Sequence, residues 1–339
     1  MPTRLNIHNS KSKPASEIMP APPKLECNRI TGDVVIVAEE RASRPLQTTK
    51  RQHQGQTTCP FCAGHENLTP PQVAAYPANA PWQVRVVPNK FPAVSAEPSL
   101  TGSSIVAGVH EVIIESPRHI ESFTELSDSA IQLVFRVLRD RLSVAYQRND
   151  VKYVQLFKNA RADAGASLSH SHSQLLATSM LPPRVMRQFD LANDRESEKQ
   201  ECPLCVRGEN ASLIGHIVTA LDGWLAVCPF GSRFPYQTWF FLTTHQSHFA
   251  DCDDRAISVL ALLVKRVIGR MEDQLDRPAY NFVVHSAPPE PGCRGFHWYA
   301  ELFPRVATAG GFEWGSGAFI NPVPAAKAAS TLRPLDDNS

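Results

Sequence analysis

The sequence predicts an α+β protein in which one unit occurs twice, with mainly antiparallel strands and packed helices. The same elements follow one another twice: a Cys-x-x-Cys pair, a strand ending in histidine, an amphipathic helix, and two further strands, the second marked by histidine. The spacing is also kept, because 51 residues separate His119 from His170 and 52 separate His245 from His297. Most connections are too short for the helical crossovers that parallel strands need, so the strands are expected to be antiparallel.

The composition indicates a soluble globular protein. The 339 residues are 42% hydrophobic and 20% charged, which leaves room for two domains of ordinary size. A net charge of +1 provides no field that would attract nucleic acid or an anionic membrane. No run approaches the roughly eighteen apolar residues of a membrane span, and the N-terminal segment lacks the apolar core of a signal peptide. We therefore expect a cytoplasmic protein.

The domain boundaries follow from changes in composition along the chain. Residues 1–25 are rich in Lys, Ser and Pro, which predicts a flexible N-terminal arm. A charged stretch without a clear apolar face separates the two repeats and is interpreted as a connector. The predicted ranges are 26–184 for the N-terminal catalytic domain, 185–200 for the connector, 201–330 for the C-terminal domain and 331–339 for a tail.

The individual elements are predicted from periodicity. Apolar residues recur at helical spacing over 124–148 and 251–275, and β-branched or aromatic runs indicate strands. In the first repeat, extended structure is predicted over 33–38, 84–92 and 152–157, a strand running into a turn over 110–119, and a strand that carries His170, His172 and Gln174. The predicted strands of the second repeat are 223–230, 238–245, 280–285 and 296–301.

The cysteines indicate metal binding. Two of the eight cysteines form Cys59-x-x-Cys62, and two more form Cys202-x-x-Cys205. In a large intracellular chain this spacing favours metal over disulfides, although either pair alone could also be a redox motif. With two histidines, each half offers a closed tetrahedral set, which is typical of structural zinc. We predict about two zinc ions per chain, with iron left open for the second, on the sets Cys59, Cys62, His119, His170 and Cys202, Cys205, His245, His297.

Two other histidines compete for these sites. His110 and His248 lie near His119 and His245 in the sequence and could replace them as ligands.

The candidate active site is the strand that carries His170, His172 and Gln174. Residues at every second position of a strand share one face, so these three side chains are expected to point the same way. A polar strand edge with solvent-facing histidines would produce the same alternation, but the metal ligands elsewhere in the chain favour a site. In the second half the positions of His172 and Gln174 hold Tyr299 and Glu301, so one active site per chain is expected.

The chemistry of these residues suits phosphoryl or nucleotidyl transfer. If His170 binds zinc, His172 is positioned and free, and a neutral imidazole is a good nucleophile towards phosphorus. Gln174 can donate a hydrogen bond to a nonbridging phosphate oxygen, aided by Asn159 and Ser167. The loop 165–167 consists of small residues whose amides could bind phosphate.

A pair of arginines offers a second phosphate contact. Arg41 and Arg44 follow a predicted buried strand, and their guanidinium groups could bind phosphate oxygens in pairs. A solvated basic turn would give the same pattern.

These motifs together resemble those of a known family. They are Arg41-x-x-Arg44-Pro, Cys59-Pro-Phe-Cys62, Ser116-Pro-Arg-His119, Gly165-Ala-Ser-x-x-His170-x-His172-x-Gln174, and Gly311-Phe-Glu313 before Ile320-Asn-Pro-Val323. From residue 26 to 330 the chain resembles the galactose-1-phosphate uridylyltransferases of the histidine triad superfamily. The resemblance implies duplicated histidine-triad-like domains and a ping-pong reaction between UDP-glucose and a hexose 1-phosphate, in which His172 is nucleotidylated.

The resemblance also implies roles for further residues. Arg41 and Arg44 would contact phosphate, Glu313 would contact the hexose, and the nucleotide would be lined by Asn89, Asn159, Ser167 and Gln174. Ser171 and Ser173 stand where typical uridylyltransferases have proline at the first position and often at the second. In this the chain is similar to the plant branch, which resembles ADP-sugar phosphorylases.

Several alternatives therefore stay open. The nucleotide is uridine or adenine, and the acceptor is a sugar 1-phosphate or phosphate. A non-catalytic, zinc-stabilised nucleotide-binding protein and a purely structural zinc protein are the alternatives from other classes. A homodimer is a further expectation.

Overall fold

The chain folds around one large antiparallel sheet. The computed structural model describes residues 24–37, 39, 58–95, 107–198, 201–205, 215–289 and 293–334. Within these ranges the strands form a ten-stranded sheet and a separate three-stranded sheet. None of the helices in the described ranges is long and apolar enough to cross a membrane.

The elements have the following bounds. The strands are β1 Lys24–Cys27, β2 Val34–Val37, β3 Ala74–Tyr76, β4 Val84–Pro88, β5 Gly108–Ile114, β6 Tyr153–Ala160, β7 His172–Thr178, β8 Gly215–Leu221, β9 Trp224–Pro229, β10 Thr238–Leu242, β11 Tyr280–His285, β12 Tyr299–Pro304 and β13 Phe319–Asn321. The helices are α1 Asp128–Tyr146, α2 Pro183–Ser197, α3 Asp254–Gln274, α4 Gly311–Ser316 and α5 Ala325–Leu332.

The strand order of the large sheet confirms the predicted α+β fold with a duplicated unit. The order is β3-β4-β5-β7-β6-β11-β12-β10-β9-β8, so each strand of the first half has its counterpart at the same distance from the centre. At the centre β6 and β11 pair antiparallel, with Phe157 opposite Val283. The equivalent residues Phe157 and Val283 therefore lie beside an approximate two-fold axis through the sheet.

Two equivalent helices cover one face of this sheet. α1 and α3 are capped by the side chains of Ser127 and Asp253, which accept hydrogen bonds from the backbone of the first turn. Their apolar faces are buried against each other and against the strands, with residues such as Phe135 and Leu260 fully enclosed. On the opposite face the first half has a smaller apolar cluster around Phe61. The main core thus leaves that second face available for a site.

The N-terminal strands join the C-terminal part of the chain. β1 pairs with β2, and β2 pairs in parallel with β13. The side chain of Asn28 donates a hydrogen bond to the carbonyl of Phe230 at 3.0 Å, and Arg233 Nε lies 3.5 Å from Asp33 Oδ2. Residues 26–37, which sequence reasoning assigned to the first domain, therefore pack against elements of the second half.

Three details differ from the sequence-based boundaries. α2 occupies most of the predicted connector, and it does have an apolar face, because Val185, Phe189 and Ala192 are buried. The expectation that this stretch lacks such a face was wrong, since these residues recur at helical spacing between charged ones. β1 begins at Lys24, inside the predicted arm, and α5 continues to Leu332, inside the predicted tail.

Candidate active site and metal clusters

The first cysteine and histidine set converges on one point. Cys59 and Cys62 lie in a turn, His119 follows β5, and His170 precedes β7. His170 Nδ1 lies 3.5 Å from the Cys59 sulfur and 3.6 Å from the Cys62 sulfur, and His119 Nδ1 lies 3.6 Å from the Cys62 sulfur. A tetrahedral zinc with ordinary bond lengths separates nitrogen and sulfur ligands by about 3.6 Å. The donor atoms therefore have the spacing of a zinc site.

The far sides of these rings are held in the way metal-binding histidines require. His170 Nε2 donates a hydrogen bond to the Ser116 carbonyl at 2.8 Å, and His119 Nε2 lies 3.1 Å from the Ser169 hydroxyl. These contacts direct each Nδ1 towards the sulfurs. Burial lowers the pKa of His170 to about 4, so the imidazole is neutral near pH 7, as a ligand must be.

The second set has the same spacing of donor atoms. His297 Nδ1 lies 3.5 Å from the sulfurs of both Cys202 and Cys205, and His245 Nδ1 lies 3.3 Å from that of Cys205. Burial raises the pKa of the Cys202 thiol, but hydrogen bonds from His245 and His297 outweigh burial and bring it down to about 5. A thiolate is the form that binds metal. All ligand atoms in each set lie within 4.8 Å of one another, so both sets suit a divalent metal.

The competing histidines lie outside both sets. His248 Nδ1 donates to the Ala287 carbonyl at 2.6 Å, and His110 contacts Gln174. The four cysteines without a partner at Cys-x-x-Cys spacing are free thiols; Cys27 is exposed, and the others, Cys228, Cys252 and Cys293, are buried.

His172 is the first residue of β7 and is fixed by the backbone just before it. Its Nδ1 donates a hydrogen bond to the His170 carbonyl at 2.7 Å, which leaves the lone pair on Nε2. The ring packs edge-on against Phe61, with 5.2 Å between ring centroids. Burial lowers the pKa of His172, so the imidazole is neutral at physiological pH. His172 thus has the neutral, oriented imidazole that a nitrogen nucleophile requires.

Gln174 is oriented by a residue that sequence reasoning assigned elsewhere. His110 Nδ1 accepts a hydrogen bond from the Ala93 amide at 3.2 Å, so its Nε2 carries the proton and donates to Gln174 Oε1 at 2.9 Å. Asn89 Nδ2 lies 3.4 Å from the same oxygen. With its oxygen occupied, Gln174 presents its amide NH₂ as a donor. Only the register between β5 and β7 shows this role of His110.

Asn159, Ser167 and Glu313 are the remaining candidate residues that the structure describes. Asn159 Oδ1 accepts a hydrogen bond from Asn281 at 2.8 Å, which links the two halves across β6 and β11. Ser167 is exposed in the loop before His170. Glu313, in the first turn of α4, accepts a hydrogen bond at 2.8 Å from the amide of Gly310, the residue before the helix. Arg41 and Arg44 lie outside the described residues.

Comparisons with known proteins identify relatives of this chain. Residues 18–182 match the family model "Galactose-1-phosphate uridyl transferase, N-terminal domain". The chain is 32% identical to an ADP-glucose phosphorylase of Arabidopsis thaliana over 92% of each sequence. It is 26% identical to a galactose-1-phosphate uridylyltransferase of Thermotoga maritima, over 91% of this chain and 98% of that protein.

A solved structure matches over almost the whole chain. The crystal structure of an Arabidopsis thaliana ADP-glucose phosphorylase with bound ADP-glucose superposes with a TM-score of 0.84 at 31% identity, over 93% of this chain and 99% of that one. The chain therefore belongs to the galactose-1-phosphate uridylyltransferase family, a family of nucleotidyl-transferring enzymes.

Proposed function

We propose that the protein transfers a nucleoside monophosphate from a nucleotide sugar to a sugar 1-phosphate or to phosphate, through a covalent adduct on His172. The observation that carries this proposal is the state of His172. Its ring is buried, neutral and held through Nδ1, and Nε2 has no hydrogen-bond partner among the described residues. A neutral imidazole with a free Nε2 lone pair is the form that attacks phosphorus.

The reaction proceeds in two displacements. The Nε2 lone pair attacks the α-phosphorus, the bond to the bridging oxygen breaks, and the sugar 1-phosphate leaves. The acceptor oxygen then attacks the same phosphorus and releases His172. The Gln174 amide donates to a nonbridging oxygen as negative charge develops, and Asn89, Asn159 and Ser167 are proposed to line the nucleotide. Arg41 and Arg44 are proposed to contact phosphate, and Glu313 to contact the sugar.

Zinc is the metal we propose for both clusters, because two thiolates and two imidazoles form the closed set that structural zinc prefers. A metal held by four protein ligands contributes fixed geometry to the fold. In the first cluster that geometry includes His170, whose carbonyl orients His172.

The nucleotide base separates two candidate activities. Resemblance to the uridylyltransferases supports UDP-glucose as the donor and galactose 1-phosphate as the acceptor. The greater identity to the ADP-glucose phosphorylase, together with Ser171 and Ser173, supports an ADP-sugar donor with phosphate as the acceptor. Rates of turnover with the two donor and acceptor pairs decide between them.

Labelling tests the proposal directly. The protein is incubated with UDP-glucose or ADP-glucose carrying ³²P at the α-phosphorus and is then denatured. We expect acid-labile, base-stable label on the wild type and none on His172→Asn. Binding of the nucleotide sugar without label would indicate a non-catalytic nucleotide-binding protein. Zinc content without either binding or label would indicate a structural zinc protein.

We also propose that the repeats at 26–184 and 201–330 are the two domains. The protein is further proposed to be a homodimer and to be located in the cytoplasm. For the homodimer we propose a contact that covers Phe91 and Trp314, which are 82% and 74% exposed. Sedimentation at several protein concentrations tests it, and a monomer throughout would refute it. Free thiols in two metal clusters suit a reducing compartment.

A further inference from the structure

A charged cluster lies buried under the strand segment that carries His172. The Lys158 and Glu115 side chains are both 0% exposed, and Lys158 Nζ donates to Glu115 Oε2 at 2.6 Å. Glu115 accepts hydrogen bonds from the hydroxyls of Ser171 and Ser173, both at 2.5 Å. Lys158 Nζ also lies 2.8 Å from the Ser171 hydroxyl and 3.3 Å from the His172 carbonyl oxygen. We refer to Glu115, Lys158, Ser171 and Ser173 as the Glu115–Lys158 cluster.

The cluster sits on the core side of the sheet, opposite the candidate active site. Lys158 Nζ lies 4.5 Å from the centre of the Phe123 ring, inside the main hydrophobic core. His172 packs against Phe61 on the other face. Alternation along the strand explains this arrangement, because Ser171 and Ser173 flank His172 and point the opposite way.

The second half shows that the fold does not need these charges. Ser173 is opposite Ile113 and Lys158, and its counterpart Ala300 is opposite Phe240 and Val284. The same registers identify the counterparts of the whole cluster. Glu115, Lys158, Ser171 and Ser173 correspond to Leu242, Val284, Trp298 and Ala300, all of them apolar.

This contrast argues for a functional role. Burying two charges is costly, and replacing a buried ion pair by apolar residues of similar volume is often neutral or stabilising. The chain places apolar residues at these positions in the half with Tyr299 and charged ones in the half with His172. We therefore infer that the charges of Glu115 and Lys158 are needed for His172 and not for the fold.

We propose that Glu115 and Lys158 are positioning residues that fix the backbone of residues 170–173 and thereby hold His172 in line for attack. The serine hydroxyls anchor the residues on both sides of His172, and Lys158 anchors its carbonyl. The His170 carbonyl, which receives Nδ1–H, belongs to the peptide that joins it to Ser171. The kinetic part of this inference rests on the proposed nucleotidyl transfer.

The test replaces the ion pair as a unit. Glu115→Leu/Lys158→Met removes both charges, keeps the volume and leaves no unpaired charge. The matched control is Glu111→Leu/Arg141→Met, which removes another largely buried ion pair, in which Arg141 Nη2 of α1 lies 2.5 Å from Glu111 Oε1 of β5. Glu111 is opposite Leu175 in the sheet and is therefore away from His172. Rapid quenching measures the rate at which the His172 adduct forms from the labelled nucleotide sugar.

We expect the rate of adduct formation to fall by about 10²-fold in the Glu115/Lys158 variant, because a small misplacement of a reacting group has that cost. Donor affinity and zinc content should match those of the wild type, whereas the melting temperature should fall, because the buried hydroxyls of Ser171 and Ser173 lose their acceptor. The control should keep the wild-type rate. An unchanged rate in the Glu115/Lys158 variant, or an equal loss in the control, would overturn the proposal. Loss of zinc from the variant would also overturn it, by showing a general structural role.

A second readout does not depend on catalysis. In the wild type the Nδ1–H proton of His172 should give a slowly exchanging NMR signal, identified by its absence in His172→Asn. The Glu115/Lys158 variant should exchange this proton faster. If this change occurs but the wild type forms no adduct, the positioning role stands and the proposed reaction fails. If the signal is unchanged in the variant, the positioning role fails.

A milder variant covers the case in which the double substitution does not fold. Ser171→Ala/Ser173→Ala keeps the ion pair and removes its hydroxyl links to the strand. We expect a smaller loss of rate and a smaller increase in proton exchange. Wild-type values for both quantities would refute the proposal.

Discussion

His170, just before β7, and His172, its first residue, are assigned different tasks, and substituting each by asparagine separates these tasks. His172 makes one hydrogen bond through Nδ1 and one ring contact with Phe61. The shorter asparagine amide can still donate to the His170 carbonyl. The stability lost is then mainly apolar contact, about 1 kcal/mol, which in a chain of this size moves the melting temperature by about 2–4 °C or less. Removing a nucleophile lowers turnover by on the order of 10⁶-fold.

His170→Asn should have the opposite profile. The side chain is 0% exposed and lies 3.5 Å and 3.6 Å from the two sulfurs of its cluster, so its loss removes one of four metal donors. Structural zinc contributes roughly 10–16 kcal/mol of binding free energy in small peptides, and a three-ligand site keeps only part of it. We expect one zinc fewer per chain and a fall in melting temperature of more than about 5 °C.

The assay combines zinc analysis by mass spectrometry, thermal melting and turnover for both variants. His297→Asn serves as the control, because it removes the equivalent donor from the half without a nucleophile. It should lose one zinc and keep the adduct chemistry. If His172→Asn retained turnover, or if it were the variant that lost zinc, the assignment of the two histidines would be wrong.

Three further outcomes are expected. Elemental analysis should find about two zinc ions per chain, and chelation should lower the melting temperature; a single ion would show that one cluster has another role. Burial raises the pKa of Glu301, but Arg233, His285 and Arg184 hold it well below its usual range, so the stability it confers is present above about pH 4.3 and is lost as the pH falls further. At pH 7, Glu301→Gln should lower the free energy of unfolding, measured in urea, by roughly 3–5 kcal/mol. This loss should shrink by about 1.4 kcal/mol for each pH unit below 4. An equal loss at pH 7 and pH 3 would contradict this. Gly108→Ala would place a Cβ 1.9 Å from the Ala177 carbonyl oxygen and should prevent folding. Gly269 lies in α3, where the nearest atom to an added Cβ is 4.0 Å away, so Gly269→Ala should raise the free energy of unfolding by about 0.5–1 kcal/mol. Similar effects of the two substitutions would refute the packing argument.

The sequence predicted the features that have local signals. Cys-x-x-Cys spacing, the apolar stripes of α1 and α3, and the histidine-marked strands all recur, so comparing the two halves identified the repeat. The pairing of β2 with β13 could not be predicted in this way, because about 280 residues separate the partners and neither segment carries a sign of the other.

The candidate site was predictable to a similar degree. His172 and Gln174 stand out by alternation and by the motifs, whereas His110 becomes a partner of Gln174 only through strand register. Asn159 meets Asn281 across the centre of the sheet, a contact that depends on how the halves assemble. The charges of Glu115 and Lys158 gave no signal, because a buried pair and a solvated pair look alike in a sequence.

The pairing of β6 with β11 has a consequence for how the two halves can exist. Five residue pairs join the halves along this seam, and each half alone would end there in a strand with unsatisfied backbone amides and carbonyls. A separately expressed first half would satisfy them by pairing β6 with β6 of another copy around the same approximate two-fold. Within the one chain, β11 satisfies these groups instead, so the second half closes the sheet for the half that carries His172.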